Sequence, residues 1–160
     1  MAATQATAEL TERRVRLTRL FDAPPELVFT VWSDPRHLDA WWGPDGFRNE
    51  TQSMEFGPGG EWRYTMHSPD GVDFPNRIVY QEIERPARLR FTHDSGEEND
   101  PGAMQVTVTF EAEQGGTRVT MHTEFPSAEM RDKIIKEYNA IEGGQQTFER
   151  LAQYLADSAA

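Results

Sequence analysis

Apolar residues along this 160-residue chain recur with two different periods. From Glu61 to His67 every second residue is aromatic or apolar: Trp62, Tyr64 and Met66 alternate with Arg63, Thr65 and His67. A period of two predicts a strand with one buried face. The same alternation runs through Leu89, Phe91 and His93, through Met104, Val106, Val108 and Phe110, and through Val119, Met121 and Thr123. Two further strands are predicted over Phe47–Phe56 and Phe74–Ile83, and a first one over Arg13–Phe21. Turn signals separate them: Gly57-Pro58-Gly59-Gly60, Pro69-Asp70-Gly71, Arg85-Pro86 and Gln114-Gly115-Gly116.

The period changes to that of a helix in two places. After Asp22-Ala23-Pro24-Pro25, whose prolines suit a first helical turn, Leu27, Val28, Val31 and Trp32 fall on one helical side. Ser33-Asp34-Pro35 then opens a second short helix with Leu38, Trp41 and Trp42, stopped by Gly43-Pro44. Near the C-terminus, Ser127 is a good cap for a long helix predicted from Glu129 to Ala156. Its stripe is Met130, Ile134, Tyr138, Ile141, Phe148, Leu151 and Leu155. Strands joined by tight turns imply an antiparallel sheet of about seven strands. The fold class is therefore α+β: a curved sheet gripping a long helix, with a cavity where helix side chains are small.

Composition narrows the chemistry. There is no cysteine, which removes disulfides, thiolate nucleophiles and cysteine-based metal sites. The formal net charge of −11 disfavours nucleic acid and anionic membranes as partners. Residues 1–10 carry neither a basic patch nor an apolar run, and read as a disordered lead-in to one domain over residues 11–157. No stretch is apolar for long enough to span a bilayer, and the expected location is the cytoplasm.

The motifs resemble a known family. Ala23-Pro24-Pro25-Glu26-Leu27-Val28-Phe29, then Trp32-Ser33-Asp34-Pro35, then Trp41-Trp42-Gly43-Pro44-Asp45-Gly46-Phe47 look like the N-terminal signature of one branch of the START-like superfamily. This superfamily is also called SRPBCC, or birch-allergen-like. The branch is that of the C-terminal domain of the activator of heat-shock-protein-ninety ATPase. Gly59-Gly60, Pro69-Asp70-Gly71 and Glu84-Arg85-Pro86-Ala87-Arg88-Leu89 match later landmarks. The resemblance implies a helix-grip fold with a pocket between sheet and last helix. Relatives commonly carry Gly-Trp in that helix, where this chain has Gly143-Gly144; the missing indole implies a larger cavity or a closer helix.

Three functions follow as expectations: binding of a small apolar molecule, a polyketide cyclase or dehydratase type of enzyme, and a co-chaperone-like module. The expected pocket residues are Trp41, Trp62, Tyr64, Met66, Tyr80, His93, Met104, Val106, Tyr138, Ile141, Gly144 and Phe148. His93 and Tyr64 are the candidates for proton transfer, since an imidazole on an apolar face can act near neutral pH. His67 and His122 fall on the faces of their strands opposite the apolar residues and are expected to face solvent, and His37 lies on a short exposed helix. No histidine–carboxylate spacing resembles a metal site, and neither metal nor cofactor is expected. Glu97, Glu98 and Asp100 read as a solvated loop tip. A homodimer stays open.

Overall fold

The computed structural model describes residues 6–97 and 100–159. In chain order the elements are β1 (Thr7–Thr11), β2 (Arg14–Phe21), α1 (Pro25–Trp32), α2 (Pro35–Trp41), β3 (Arg48–Met54), β4 (Glu61–His67), β5 (Asp73–Glu84), β6 (Arg88–Asp94), β7 (Met104–Glu113), β8 (Gly116–Glu124), α3 (Ala128–Tyr138) and α4 (Ala140–Ala159). All strands join one eight-stranded antiparallel sheet in the order β1-β2-β8-β7-β6-β5-β4-β3. Register shifts at Thr51/Ser53 and Tyr80/Glu82 add the local twist that curls a sheet of this width.

The strand alternation places its apolar sets on the concave face. Trp62 and Tyr64 of β4, Leu89 and Phe91 of β6, and Val106, Val108 and Phe110 of β7 are all buried there. Two helical layers cover the ends of that face. At one end α1 packs on β7 and β8, and Trp32 meets Trp41 and Trp42 edge-on with centroids 5.0 and 5.6 Å away. At the other, α4 packs on β1 and β2, and Phe148 meets Phe21 edge-on at 5.6 Å. Asp34 caps α2 by accepting from the Arg36 N–H at 2.8 Å.

Three expectations change. The sheet has an eighth strand because Thr7–Thr11 pairs with β2, so residues 7–10 are sheet and not lead-in; residues 1–5 lie outside the described residues. The long C-terminal helix is two helices. Asn139 adopts the left-handed conformation (φ 51°) between them, which asparagine tolerates better than most residues. Its side chain donates to Glu142 at 2.7 Å and holds that corner. The stripe therefore does not run through. Phe148, Leu151 and Leu155 are buried, Ile134 and Ile141 are half-buried, and Tyr138 is 60% exposed. The short helix α2 is less exposed than expected: His37 Nδ1 lies 2.6 Å from the Tyr154 hydroxyl.

The loop after α2 is pinned from two sides. The buried Asn49 amide donates to the Leu38 and Trp42 carbonyls. Arg150 of α4 donates to the carbonyls of Gly43 at 2.8 Å and Pro44 at 3.0 Å. Gly43 sits at φ +106°, and a Cβ there would lie 2.6 Å from Met66 Cε.

Two stability outcomes follow. Phe148→Ala should cost about 3–5 kcal/mol in chemical denaturation, because a fully buried ring leaves a cavity behind. A loss below about 1 kcal/mol would put that ring outside the core. Gly43→Ala should lower stability by about 1–3 kcal/mol through backbone strain and the Met66 clash. A neutral result would mean the loop re-forms with another backbone geometry.

Candidate functional site

Between the two helical layers the concave face is left uncovered, and a cavity of about 870 Å³ opens there. Its floor is the strand alternation: Phe91 and His93 of β6, Met104 and Val106 of β7, Met121 and Thr123 of β8. One wall is α3, which has no buried residue and turns Met130, Ile134 and Tyr138 to the cavity. The opposite wall carries Trp42, Phe47, Met66 and Phe74. Phe74 stands edge-on to Tyr138 at 6.4 Å and tilted against Phe47 at 6.2 Å.

Of the expected pocket residues, Met66, His93, Met104, Val106, Tyr138 and Gly144 line this cavity. Trp41, Trp62, Tyr64, Tyr80, Ile141 and Phe148 do not. Trp41 is fully buried, and its indole N–H donates to the Val31 carbonyl at 3.0 Å. Trp62 stacks on Tyr64 at 4.0 Å, and its indole N–H donates to Thr51 at 3.1 Å. Trp62 and Tyr80 border only a void of about 10 Å³, too small for a ligand. Phe148 is spent on Phe21. Ile141 is half-buried on α4 away from the lining.

Trp42, and not Trp41, reaches the cavity. Trp42 is the residue that ends α2, with ψ 131°, so its side chain leaves the helical face on which Trp41 is packed. Phe74 and Asn76 share a strand face with Ile78 and Tyr80; alternation from Tyr80 could have found them.

Gly144 does face the sheet. A Cβ there would lie 3.0 Å from Leu17 Cδ2, while one on Gly143 would touch Pro44 at 3.7 Å. The glycine pair therefore lets the first turns of α4 lie close to β2 and to the pinned loop while leaving the cavity open.

The polar chemistry gathers at His93. The Asn76 amide donates to the Phe74 carbonyl at 2.9 Å, which turns Asn76 Oδ1 towards His93 Nε2, also at 2.9 Å. Nε2 is therefore the protonated nitrogen. The Tyr64 hydroxyl lies 3.2 Å from the same nitrogen and accepts from Trp42 Nε1 at 3.0 Å. Burial lowers the His93 pKa to about 4, against the pull of Asp94 and Asp100, so the ring is neutral at physiological pH. Burial raises the Tyr64 pKa, and that hydroxyl stays protonated.

Around the mouth, burial pushes the Asp94 pKa up, but hydrogen bonds from Arg77 at 2.9 and 2.7 Å and from the Gly96 N–H outweigh it and leave it lowered. Asp100 accepts from the Gly102 and Ser95 N–H groups, which also lowers its pKa. Glu98, expected in the same cluster, lies outside the described residues.

His67 is not free in solvent: Glu50 at 2.9 Å and Asp73 at 2.6 Å hold it and raise its pKa. His122 is exposed, as its strand face implied. Among the described residues no group of three or more His, Asp or Glu side chains is placed to hold a metal ion. None of the described helices is long and apolar enough to cross a membrane.

Fold and site together define a helix-grip domain: an antiparallel sheet curled round a C-terminal helix, with an apolar cavity between them. The chain belongs to the family of activator of Hsp90 ATPase homolog 1-like proteins, whose family model matches residues 22–156. Among solved structures, a protein from Arthrobacter aurescens is 28% identical, with 94% of this chain and 91% of that chain aligned at a TM-score of 0.86. One from Chromobacterium violaceum is 27% identical over 88% of this chain and 95% of that chain, at a TM-score of 0.78. A third, from Mycobacterium smegmatis, shares the fold at 24% identity, 97% coverage of each chain and a TM-score of 0.83. No curated protein matches the sequence.

The buried imidazole makes a pH prediction. The folded-state pKa of about 4 lies below the unfolded value of 6.5. Between these values the unfolded chain binds a proton that the folded chain does not, so His93 costs stability as pH falls through that window. His67 acts in the opposite sense: its raised pKa stabilises the fold at low pH and the effect fades as pH rises. Comparison with His93→Gln isolates the first effect. The wild type should lose more stability than the variant between pH 6.5 and 4, and the His93 ring should titrate near 4 by NMR. A His93 titration midpoint near 6.5 would mean that the ring is solvated.

Proposed function

We propose that this protein binds a small, largely apolar molecule in the cavity between the sheet and helices α3 and α4. The observation that carries this reading is the combination of a cavity of about 870 Å³ with walls of Met, Phe, Val and Ile side chains. That is the size and character of sites for drug-sized ligands. The apolar side of α3 supports it too. Its Met130, Ile134 and Tyr138 remain incompletely buried, and an apolar occupant would bury them.

The enzymatic reading, of cyclase or dehydratase type, finds less support in the same residues. A general base works best with a pKa near the operating pH. Burial leaves His93 a weak base and Tyr64 a very weak acid. Both sit in a network that fixes them in one neutral state. The co-chaperone-like role implied by the family's description would use an outer surface, and the cavity argues for a ligand instead.

A neutral dye, N-phenyl-1-naphthylamine, tests the reading without the charge repulsion that an anionic dye would meet. Its fluorescence should rise and saturate on titration with the protein. Met121→Trp, which fills the cavity floor, should weaken binding roughly tenfold or more while the melting temperature holds or rises, since a void is filled. Dye binding that does not saturate, or that is indifferent to Met121→Trp, would remove the cavity as the site.

A further inference from the structure

His93 is the titratable group of a floor otherwise made of Phe91, Met104, Val106, Met121 and Thr123, and only one of its nitrogens is spent. Nε2 donates to Asn76 Oδ1 at 2.9 Å and lies 3.2 Å from the Tyr64 hydroxyl. Nδ1 has no hydrogen-bond partner among the described residues. Nor is it sealed in: among the described residues, the fully buried polar side-chain atoms without a partner are Arg19 Nε, Trp32 Nε1, Asn49 Oδ1 and Glu82 Oε2. Nδ1 therefore keeps accessible surface, and His93 lines the cavity. With the proton on Nε2, Nδ1 presents a lone pair and can only accept.

The surroundings limit what can donate to it. Met104 is the cross-strand partner of His93, and Met66 and Val106 line the same cavity, so an occupant without a donor would strip Nδ1 of water and offer nothing in return. At the mouth stand Asp45, Glu97, Asp100 and Glu137, with Lys133 as the cation among the described lining residues and Asp94 already paired to Arg77. A ligand carboxylate would enter a low-dielectric space beside like charges.

We propose that the cavity takes an uncharged apolar molecule bearing a hydroxyl group, whose proton His93 Nδ1 accepts. This rests on the ligand-binding reading above and adds the chemical class of the ligand. Asn76 is the positioning residue: its acceptor oxygen keeps the proton on Nε2 and the lone pair towards the ligand.

Three probes of one ring system separate the possibilities: 1-naphthol, 1-methylnaphthalene and 1-naphthoate, titrated calorimetrically into the full chain. 1-Naphthol should bind roughly tenfold tighter than 1-methylnaphthalene, as one net hydrogen bond implies. His93→Phe should abolish that preference and leave 1-methylnaphthalene binding in place. Asn76→Leu, which frees the tautomer, should reduce the same preference, and it carries the test if the His93 variant does not fold. 1-Naphthoate should bind weakest at low salt and improve as salt screens the mouth. Equal binding of 1-naphthol and 1-methylnaphthalene, unchanged in both variants, would overturn the hydroxyl assignment and leave the cavity reading intact. Binding of none of the three would overturn both.

Discussion

Helix coverage of the concave face is confined to its two ends, and the cavity depends on that. The tryptophan cluster of Trp32, Trp41 and Trp42 closes one end, and Phe148 against Phe21 closes the other. Large rings suit this role because each covers much apolar area at few points of attachment. Between the two wedges, Val106, Met121 and Thr123 of the floor strands line the cavity. A curled sheet of eight strands exposes more concave surface than one helix can cover. The surplus becomes the cavity.

Polar bonds turn this packing into a shaped site. Asn49 and Arg150 hold the loop after α2 from opposite sides, which sets Trp42 at the cavity wall. The Trp42 indole N–H then donates to Tyr64, whose hydroxyl lies beside His93, itself bonded to Asn76. This chain of contacts runs from a loop on the helical layer to the floor of the sheet. Trp42 Nε1, the Tyr64 hydroxyl, His93 Nε2 and Asn76 Oδ1 are tied to one another there, which holds the imidazole neutral and in place where a lone histidine would be costly. The buried imidazole is thereby a poor base at physiological pH.

The helix α3 contrasts with the rest. Bounded by the Ser127 cap and the left-handed Asn139, it packs on α4 and on the cavity but buries nothing fully. Elements with few buried contacts sit at the low end of local stability. Under the proposed reading, an occupant of the cavity would supply the apolar contact that α3 otherwise lacks.

Much of this was legible in the chain. Period-two patterns placed β4, β6, β7 and β8, with His93 on the apolar face beside Phe91, and the Trp-Trp-Gly-Pro run identified the family. Alternation works because a strand has just two faces, and a helix-grip sheet buries one of them. Three things were decided only by tertiary structure. The break at Asn139 was hidden because both halves keep an apolar helical stripe, and only the path of the chain over the sheet demands a corner there. β1 was missed because Thr7–Thr11 is an edge strand with a mostly exposed pattern, stabilised by pairing with β2 and not by burial. The division of aromatic residues between core and cavity was hidden too. Trp62, Tyr64 and Tyr80 have the same face and spacing as the residues that line the cavity, yet Trp32, Leu38 and Trp42 close around Trp62 and Tyr80 and leave only a small void, while Val106 and Met121 border the open cavity. Sequence period determines which face a side chain takes; which part of that face is covered depends on where the helices dock.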